Sequence, residues 1–358
     1  MTGQHSLPRT RHEHLLRQLE LHGSVSAADI AVQLGVSQVT VRRDIVELEN
    51  AGRLARVHGG AIALGAPSVA QPARANIGVV VPSSVSHFPQ IVRGMDAASR
   101  GGRTRVVLAT SQYREELEQR QVERLVDVGV AGIILAPTMR SRTEAELAEW
   151  VSSVPVPVVF LERRLESTAL AVYDSARTDH SRGAQLAVEH LASLGHRAVG
   201  LALFDRTPTA PLVRDGHGAA VARLGLADAP YAGLPKGEEG ESDSLDDALV
   251  AFLEACLGGG VTAAVVHTDV HAARLVELAT DRGIHVPDDL AIVAYDDDTA
   301  SLAMVPLTSV TAPGRDLGQE VLRIMTERIA SPDRTATAAR HITMLPRLTV
   351  RESCGAIV

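Results

Sequence analysis

VTAAVVHTDVHAARLVELATDRGIHVPDDLAIVAY (residues 261–295) reads as a strand, a helix and a second strand. Its two apolar runs, 263–266 and 290–294, show no polar alternation, and an amphipathic stretch at 270–282 separates them. A strand that is apolar on both faces has to be covered on both faces, which is the condition of a parallel sheet built from βαβ units. The same alternation extends outward. Apolar runs at 77–81, 104–108, 132–135, 156–160 and 199–203 alternate with helical patterns at 88–100, 114–128, 143–152, 177–194, 211–224 and 243–257. About 280 residues of this exceed one comfortable core, so an α/β body of two lobes with parallel sheets is expected over 76–358.

Ahead of the body, residues 65–75 (GAPSVAQPARA) carry two prolines among small residues and read as a linker. Residues 1–64 follow another pattern. A helix over 8–22 places Leu15, Leu16 and Leu19 on one side and stops at Gly23. Ser26-Ala-Ala-Asp29 opens a second helix that ends at Gly35, and Ser37 can cap a third running to about Ala51. A short extended run from Arg53 to Val57, a Gly59-Gly60 turn and a second extended run follow. Helices joined by a tight glycine turn and followed by a small hairpin describe a winged helix-turn-helix.

The chain has 358 residues, 45% hydrophobic and 22% charged, with a formal net charge of −8. This is too apolar for wholesale disorder, and no run reaches the ~18 apolar residues of a membrane span. The N-terminal segment lacks the apolar core of a secretory signal, so a cytoplasmic protein without membrane contact is expected. Two cysteines far apart, Cys256 and Cys354, leave no disulfide framework or cysteine zinc finger. Residues 1–66 hold seven Arg against six acids, so the head is +1 and the remainder −9. Only one basic residue, Lys236, is a lysine, a bias best assigned to the source.

On the third helix Val41, Ile45 and Leu48 share a stripe that faces the head's own core. Val39, Arg43, Glu47 and Asn50 fall opposite, Arg42 on a flank, and Ser37, Gln38 and Thr40 in the first turn. A hydroxyl and backbone N–H groups for phosphate, with Arg and a small apolar group for base edges, are what a DNA-recognition helix requires. Arg56 and His58 in the wing are placed to meet phosphate. By itself an Arg42/Arg43 pair is more often a solvated face. However, VSAADIAVQLGVSQVTVRRDIVELENAGRLARVHGGA (25–61) resembles the DeoR-type winged helix-turn-helix. That resemblance implies DNA contacts from Ser37, Thr40, Arg42, Arg43, Arg56 and His58, with operator DNA as partner, and Gln38 and Val39 join them as candidates by their place on the helix.

In the body, acids follow three apolar runs: Glu162, Asp269 and Asp296. Ligands of open α/β sheets bind beyond the carboxyl ends of strands, where such acids can accept from hydroxyls. EHLASLGHR (189–197), GIHVPDDLAIVAYDD (283–297) and PLTSV (306–310) resemble the effector-binding core of LacI/GalR-type repressors over residues 76–352. The resemblance implies a fold like that of periplasmic sugar-binding proteins and an effector site that includes Ser83, Ser84, Phe88, Glu162, Asp269 and Asp296. The family's R-x-x-G-F is altered: Val213 stands where its Arg would, Arg214 is one residue late, and His217 replaces the aromatic. Arg214 is retained as a candidate effector ligand. Tyr173 is a weak candidate for stacking, and Asp297 and Asp298 read as a turn. The hinge helix that follows a LacI-type DNA head is absent.

His267 and His271 are four apart, but no third ligand accompanies them, so no metal site is expected. Gly258–Gly260 precedes a strand with no Lys after it and is no phosphate loop. No cofactor and no catalytic constellation are expected. The expectation is a homodimeric regulator, a repressor, controlled by a sugar or related polyol held between two lobes. An enzyme acting on a sugar phosphate is the alternative, because DeoR-type heads are more often fused to isomerase-like bodies.

Overall fold

The computed structural model describes residues 8–22, 24–57, 59–63, 75–83, 87–100, 102–235, 242–331 and 338–356. The chain divides into two units, Met1–Arg74 and Ala75–Val358. His58, Ser84 and nearly all of the expected linker lie outside the described residues.

The head contains α1 (Pro8–His22), β1 (Ser24–Ser26), α2 (Ala27–Leu34), α3 (Gln38–Asn50), β2 (Leu54–Val57) and β3 (Gly60–Ala63). The strands form an antiparallel sheet in the order β1-β3-β2. Three residues are too few to show alternation, so β1 carries no sequence signal; its pairing with the wing closes the sheet. Leu15, Leu19, Ile30, Val41, Ile45 and Leu54 form the core. Asp44 is buried beside it and accepts from Nε and Nη2 of Arg11, both at 2.8 Å, pinning α3 to α1.

The first lobe of the body runs β4 (Ala75–Val81), α4 (Phe88–Arg100), β5 (Thr104–Thr110), α5 (Glu115–Asp127), β6 (Gly132–Leu135), α6 (Glu144–Ser152), β7 (Val158–Leu161) and β8 (Asp174–Thr178). The second runs α7 (His180–Ser193), β9 (Gly200–Phe204), α8 (Ala210–Leu224), β10 (Tyr231–Leu234), α9 (Ser242–Gly258), β11 (Ala263–His267), α10 (Asp269–Thr280), β12 (Ala291–Tyr295) and β13 (Thr308–Thr311). The chain then returns to the first lobe with α11 (Gly314–Ala330) and β14 (His341–Met344), and ends in the second with β15 (Arg347–Thr349). The two six-stranded sheets are ordered β14-β8-β7-β6-β4-β5 and β10-β9-β11-β12-β13-β15; all their pairings are parallel except β13 with β15. Each sheet carries an apolar layer on both faces, as the unbroken apolar runs require. The body is thus two-lobed α/β with parallel sheets, and the chain crosses between lobes at 178–180, 311–314 and 344–347.

One expected element is corrected. Residues 177–194 are not a single helix, because 177 and 178 belong to β8, whose burial alternates. The Asp179 carboxylate accepts from the N–H of Arg182 at 3.0 Å and starts α7 only at His180. In the first lobe α4 and α11 cross closely. A Cβ on Gly94 would stand 2.1 Å from the Arg315 carbonyl oxygen, and one on Gly318 would stand 2.0 Å from that of Ile91. Only glycine allows these backbones to approach so closely.

Candidate functional site: the α3 face and the interlobe cleft

Ser37 caps α3: its oxygen accepts from the N–H of Thr40 at 3.1 Å, and the two hydroxyls lie 2.9 Å apart. Val41, Ile45 and Leu48 are buried, which turns Ser37, Gln38, Val39, Arg42, Arg43, Glu47 and Asn50 to solvent. Val39 is 74% exposed on this face. The Arg43 guanidinium is loosely paired with Glu47 at 3.9 Å, one turn on, and remains largely exposed. Arg56 on the wing pairs with Glu49 at 3.4 Å. Ser37 thus spends its oxygen on the helix cap.

Between the lobes of the body lies a cavity of about 910 Å³. Ser83, Phe88, Tyr113, Arg140, Glu162 and Arg163 line it from the first lobe, and Phe204, Arg206, His267 and Asp296 from the second. Glu162 follows β7 and Asp296 follows β12, and both adopt left-handed backbone, with φ of 51° and 76°. For residues other than glycine such conformations are uncommon and gather at functional sites.

Glu162 is held on all sides. Oε1 lies 2.9 Å from His87 Nε2 and accepts from the Thr178 hydroxyl at 2.7 Å; Oε2 accepts from the Thr178 N–H at 3.0 Å and faces His180 Nε2 at 3.5 Å. Burial opposes its charge, but the two histidines outweigh burial and hold the carboxyl well below the usual carboxylate range. His87 is the counterpart. Burial disfavours its cation, yet Glu162, with Asp296 and Asp298, raises it to about 9. Asp296 is pushed up to about 6, chiefly by burial, against the pull of His87 and His180. Burial, reinforced by neighbouring histidines, lowers His267 to about 3, and its Nδ1 has no partner. Arg163 is also buried: Nε donates to Pro137 O and Nη1 to Glu162 O, both at 2.7 Å, and Nη2 is left without a partner.

Two expected effector ligands do not line the cavity. Asp269 Oδ2 accepts from the N–H and hydroxyl of Thr299 at 2.6 and 3.0 Å, holding the loop after β12. Arg214, one position past Val213, is rotated about 100° around α8 and is exposed, bonded to Asp205 and to the Tyr231 hydroxyl. Val213 takes the buried position. His217 donates to or accepts nothing from the cavity; its Nε2 meets Val199 O at 2.9 Å. Tyr173 packs edge-on against Phe160, away from the cleft. Asp297 and Asp298 do more than turn the chain: Asp297 pairs with Arg351 and Thr311, and Asp298 accepts from the His87 N–H at 2.9 Å. His87, Arg163 and His180 escaped the sequence reading, and His267 enters it only as half of a metal pair with His271. His180 follows a strand too polar to recognise, and His87 and Arg163 carried no spacing that set them apart.

A DeoR-like helix-turn-helix domain model matches residues 11–65, and a periplasmic binding protein-like domain model matches residues 188–354. The HTH-type transcriptional regulator MalR of Streptomyces coelicolor is 30% identical over 359 residues, covering 91% of this chain and 95% of that protein. The arabinose metabolism transcriptional repressor of Geobacillus stearothermophilus is 28% identical over 338 residues, 91% of this chain and 89% of its own. Among solved structures, a transcriptional regulator CelR–cellobiose complex superposes with a TM-score of 0.64 at 23% identity over 89% of this chain and 91% of that one. A ribose-bound LacI family transcriptional regulator from Enterococcus faecium gives 0.64 at 21% identity over 79% of this chain and all of its own. Among the described residues no helix is long and apolar enough to cross a membrane. With the helix-turn-helix head, the two-lobed body and a 30% identical relative aligned along nine-tenths of its length, this chain belongs to the family of HTH-type transcriptional regulators that includes MalR.

Proposed function

We propose that the protein is a repressor whose α3 face reads operator DNA and whose interlobe cleft binds a sugar or related polyol that controls DNA affinity. Ser37, Gln38, Val39, Thr40, Arg42 and Arg43 meet the major groove, with Arg56 and His58 on flanking phosphate. Two copies of the chain present two heads to a roughly palindromic site, because half-site symmetry mirrors a two-fold dimer. The protein works in the cytoplasm, beside the DNA, without a cofactor and without turning over its ligand.

One observation carries the effector reading: the acids after β7 and β12, one from each lobe, face a single cavity that His180, at the 178–180 crossing, also lines. Its size lies within the ~300–1,000 Å³ of small-molecule sites. The cavity offers the mixed partners that a polyol needs: the Asp296 carboxylate to accept from hydroxyls, Arg163 Nη2 to donate, and the Phe88 and Phe204 rings for the apolar face of a sugar. Glu162, with its oxygens engaged, sets the histidines rather than meeting the ligand first. Ligand contacts to both lobes favour one lobe arrangement, and control over DNA extends only as far as that difference in affinity.

A thermal-shift screen of the purified chain against sugars, polyols and nucleosides tests the cleft, since a ligand that binds only the folded state raises the midpoint. Gel shifts with fragments upstream of the gene, with and without the hit, test the coupling. Purely salt-sensitive, sequence-independent DNA binding would defeat the reading, and turnover of a sugar phosphate would move the body to the enzyme class.

A further inference from the structure

We propose that His87, Glu162 and His180 form a binding site for a divalent transition-metal ion at the junction of the two lobes. One donor atom from each residue falls within 4.8 Å of the other two. His87 Nε2 lies 2.9 Å from Glu162 Oε1, and His180 Nε2 lies 3.5 Å from Glu162 Oε2. In a tetrahedral site with bonds of about 2.0–2.1 Å, neighbouring donors stand about 3.3 Å apart, so small side-chain rotations suffice. Two imidazoles and a carboxylate suit zinc and its neighbours in the first transition row rather than magnesium or calcium, which take oxygen ligands.

Neighbouring groups also orient the His180 ring. The Tyr295 hydroxyl donates to the His180 carbonyl oxygen at 3.0 Å, so its oxygen is left to accept from His180 Nδ1–H at 3.1 Å. Its Nε2 is then the ring nitrogen that faces the Glu162 carboxylate, at 3.5 Å. The supporting contacts have the form expected around metal ligands: Thr178 holds both carboxylate oxygens, Tyr295 holds one ring, and Asp298 holds the backbone of His87. Three protein ligands beside an open cavity leave a coordination position for a ligand oxygen.

The three residues do not belong to one lobe. His87 precedes α4 and Glu162 follows β7 in the first lobe, whereas His180 opens α7 of the second, immediately after the crossing at 178–180. A bound ion would therefore tie the lobes at their junction and stiffen the movement on which effector control depends. The site does not require the effector to be a sugar.

The test uses the full chain stripped with chelator, zinc chloride as probe, and equilibrium dialysis with metal analysis. About one zinc per chain is expected. It should be weakened at least about tenfold by His87→Gln and by His180→Gln. His12→Asn, which alters the separate His12–Asp44–Glu47 group in the head, should leave it unchanged. Cobalt(II) in place of zinc should give the visible absorption of a four-coordinate ion in the unmutated protein, a readout that needs no variant to fold. If His180→Gln unfolds by circular dichroism, His87→Gln, at a half-buried ring, decides. Failure to retain zinc, or retention undiminished in a folded His87→Gln, overturns the site. A sugar that shifts the melting midpoint in chelator while zinc is not retained sinks the metal site alone and leaves the effector reading standing.

Discussion

Glu162 ends β7 of one lobe, Asp296 ends β12 of the other, and both take a left-handed φ, 51° and 76°, at the same cavity. Their surroundings make them unequal. Glu162 is bonded by Thr178 and flanked by two histidines, whereas among the described residues no hydrogen bond to a side chain or backbone holds the Asp296 carboxyl. Backbone strain of about 1–3 kcal/mol at each position is tolerated where the fold overdetermines it. The free carboxyl is the one available to a ligand.

Asp296→Ala should abolish the response to effector while operator binding stays near normal. A lost charged hydrogen bond is worth about 1.5–3 kcal/mol, or roughly ten- to a hundredfold in effector affinity. Gel shifts with and without effector report both quantities, and loss of both would reveal a folding role instead.

Arg43→Ala should cost about 1–3 kcal/mol of specific operator affinity through the loss of a base-edge contact. Its side chain is largely exposed and only loosely paired with Glu47, so head stability should barely change. Titrations on operator and on scrambled DNA separate the specific loss from a general one.

Asp44→Ala should unfold the head before the body. Its carboxylate is buried against Arg11, and removing one member of such a pair leaves the other uncompensated, at a cost of about 3–5 kcal/mol. Calorimetry should show the head transition falling while that of the body holds.

Acid should destabilise the body through Asp174. Burial opposes its charge, but bonds from Arg328 at 2.5 and 2.9 Å and from the Arg340 N–H at 2.8 Å prevail, and the carboxyl sits below its ordinary value. Unfolding releases it to about 3.9, so the unfolded chain takes up the proton first. The stabilisation is full above about pH 4 and fades as pH falls toward the folded value. Urea midpoints between neutral pH and pH 3 should drop less steeply in Asp174→Asn than in the parent.

Gly318→Ala should destabilise the first lobe by about 1–3 kcal/mol, because its Cβ would meet the Ile91 carbonyl oxygen at 2.0 Å and force α4 and α11 apart. The midpoint of urea unfolding should fall at unchanged slope.

Strands that are buried on both faces announce themselves, and so most of the body was legible. The apolar runs around Val79, Ile134, Val159, Val265 and Val293 are core strands of the two sheets. Besides the edge strand β10, the strands the sequence concealed in the body, β8 and β13 to β15, pair at or beside the lobe crossings with Thr, Ser, Asp and Arg side chains. Their polar groups are satisfied by long-range partners, such as Arg328 for Asp174 and Ser353 for the Thr308 N–H. No local pattern predicts those partners.

The head and cleft divide in the same way. Sequence by itself determined that Ser37 caps a helix whose Val41, Ile45 and Leu48 stripe faces inward, because capping and helical period are local properties. It also determined that acids stand at the ends of apolar strands. Only the tertiary structure decided that Asp269 turns to Thr299, that Arg214 turns to Asp205, and that His87, Glu162 and His180 meet. Those residues lie 75 and 18 positions apart in sequence and come together where the chain crosses between lobes. Long-range packing, rather than spacing along the chain, sets which polar groups are buried face to face.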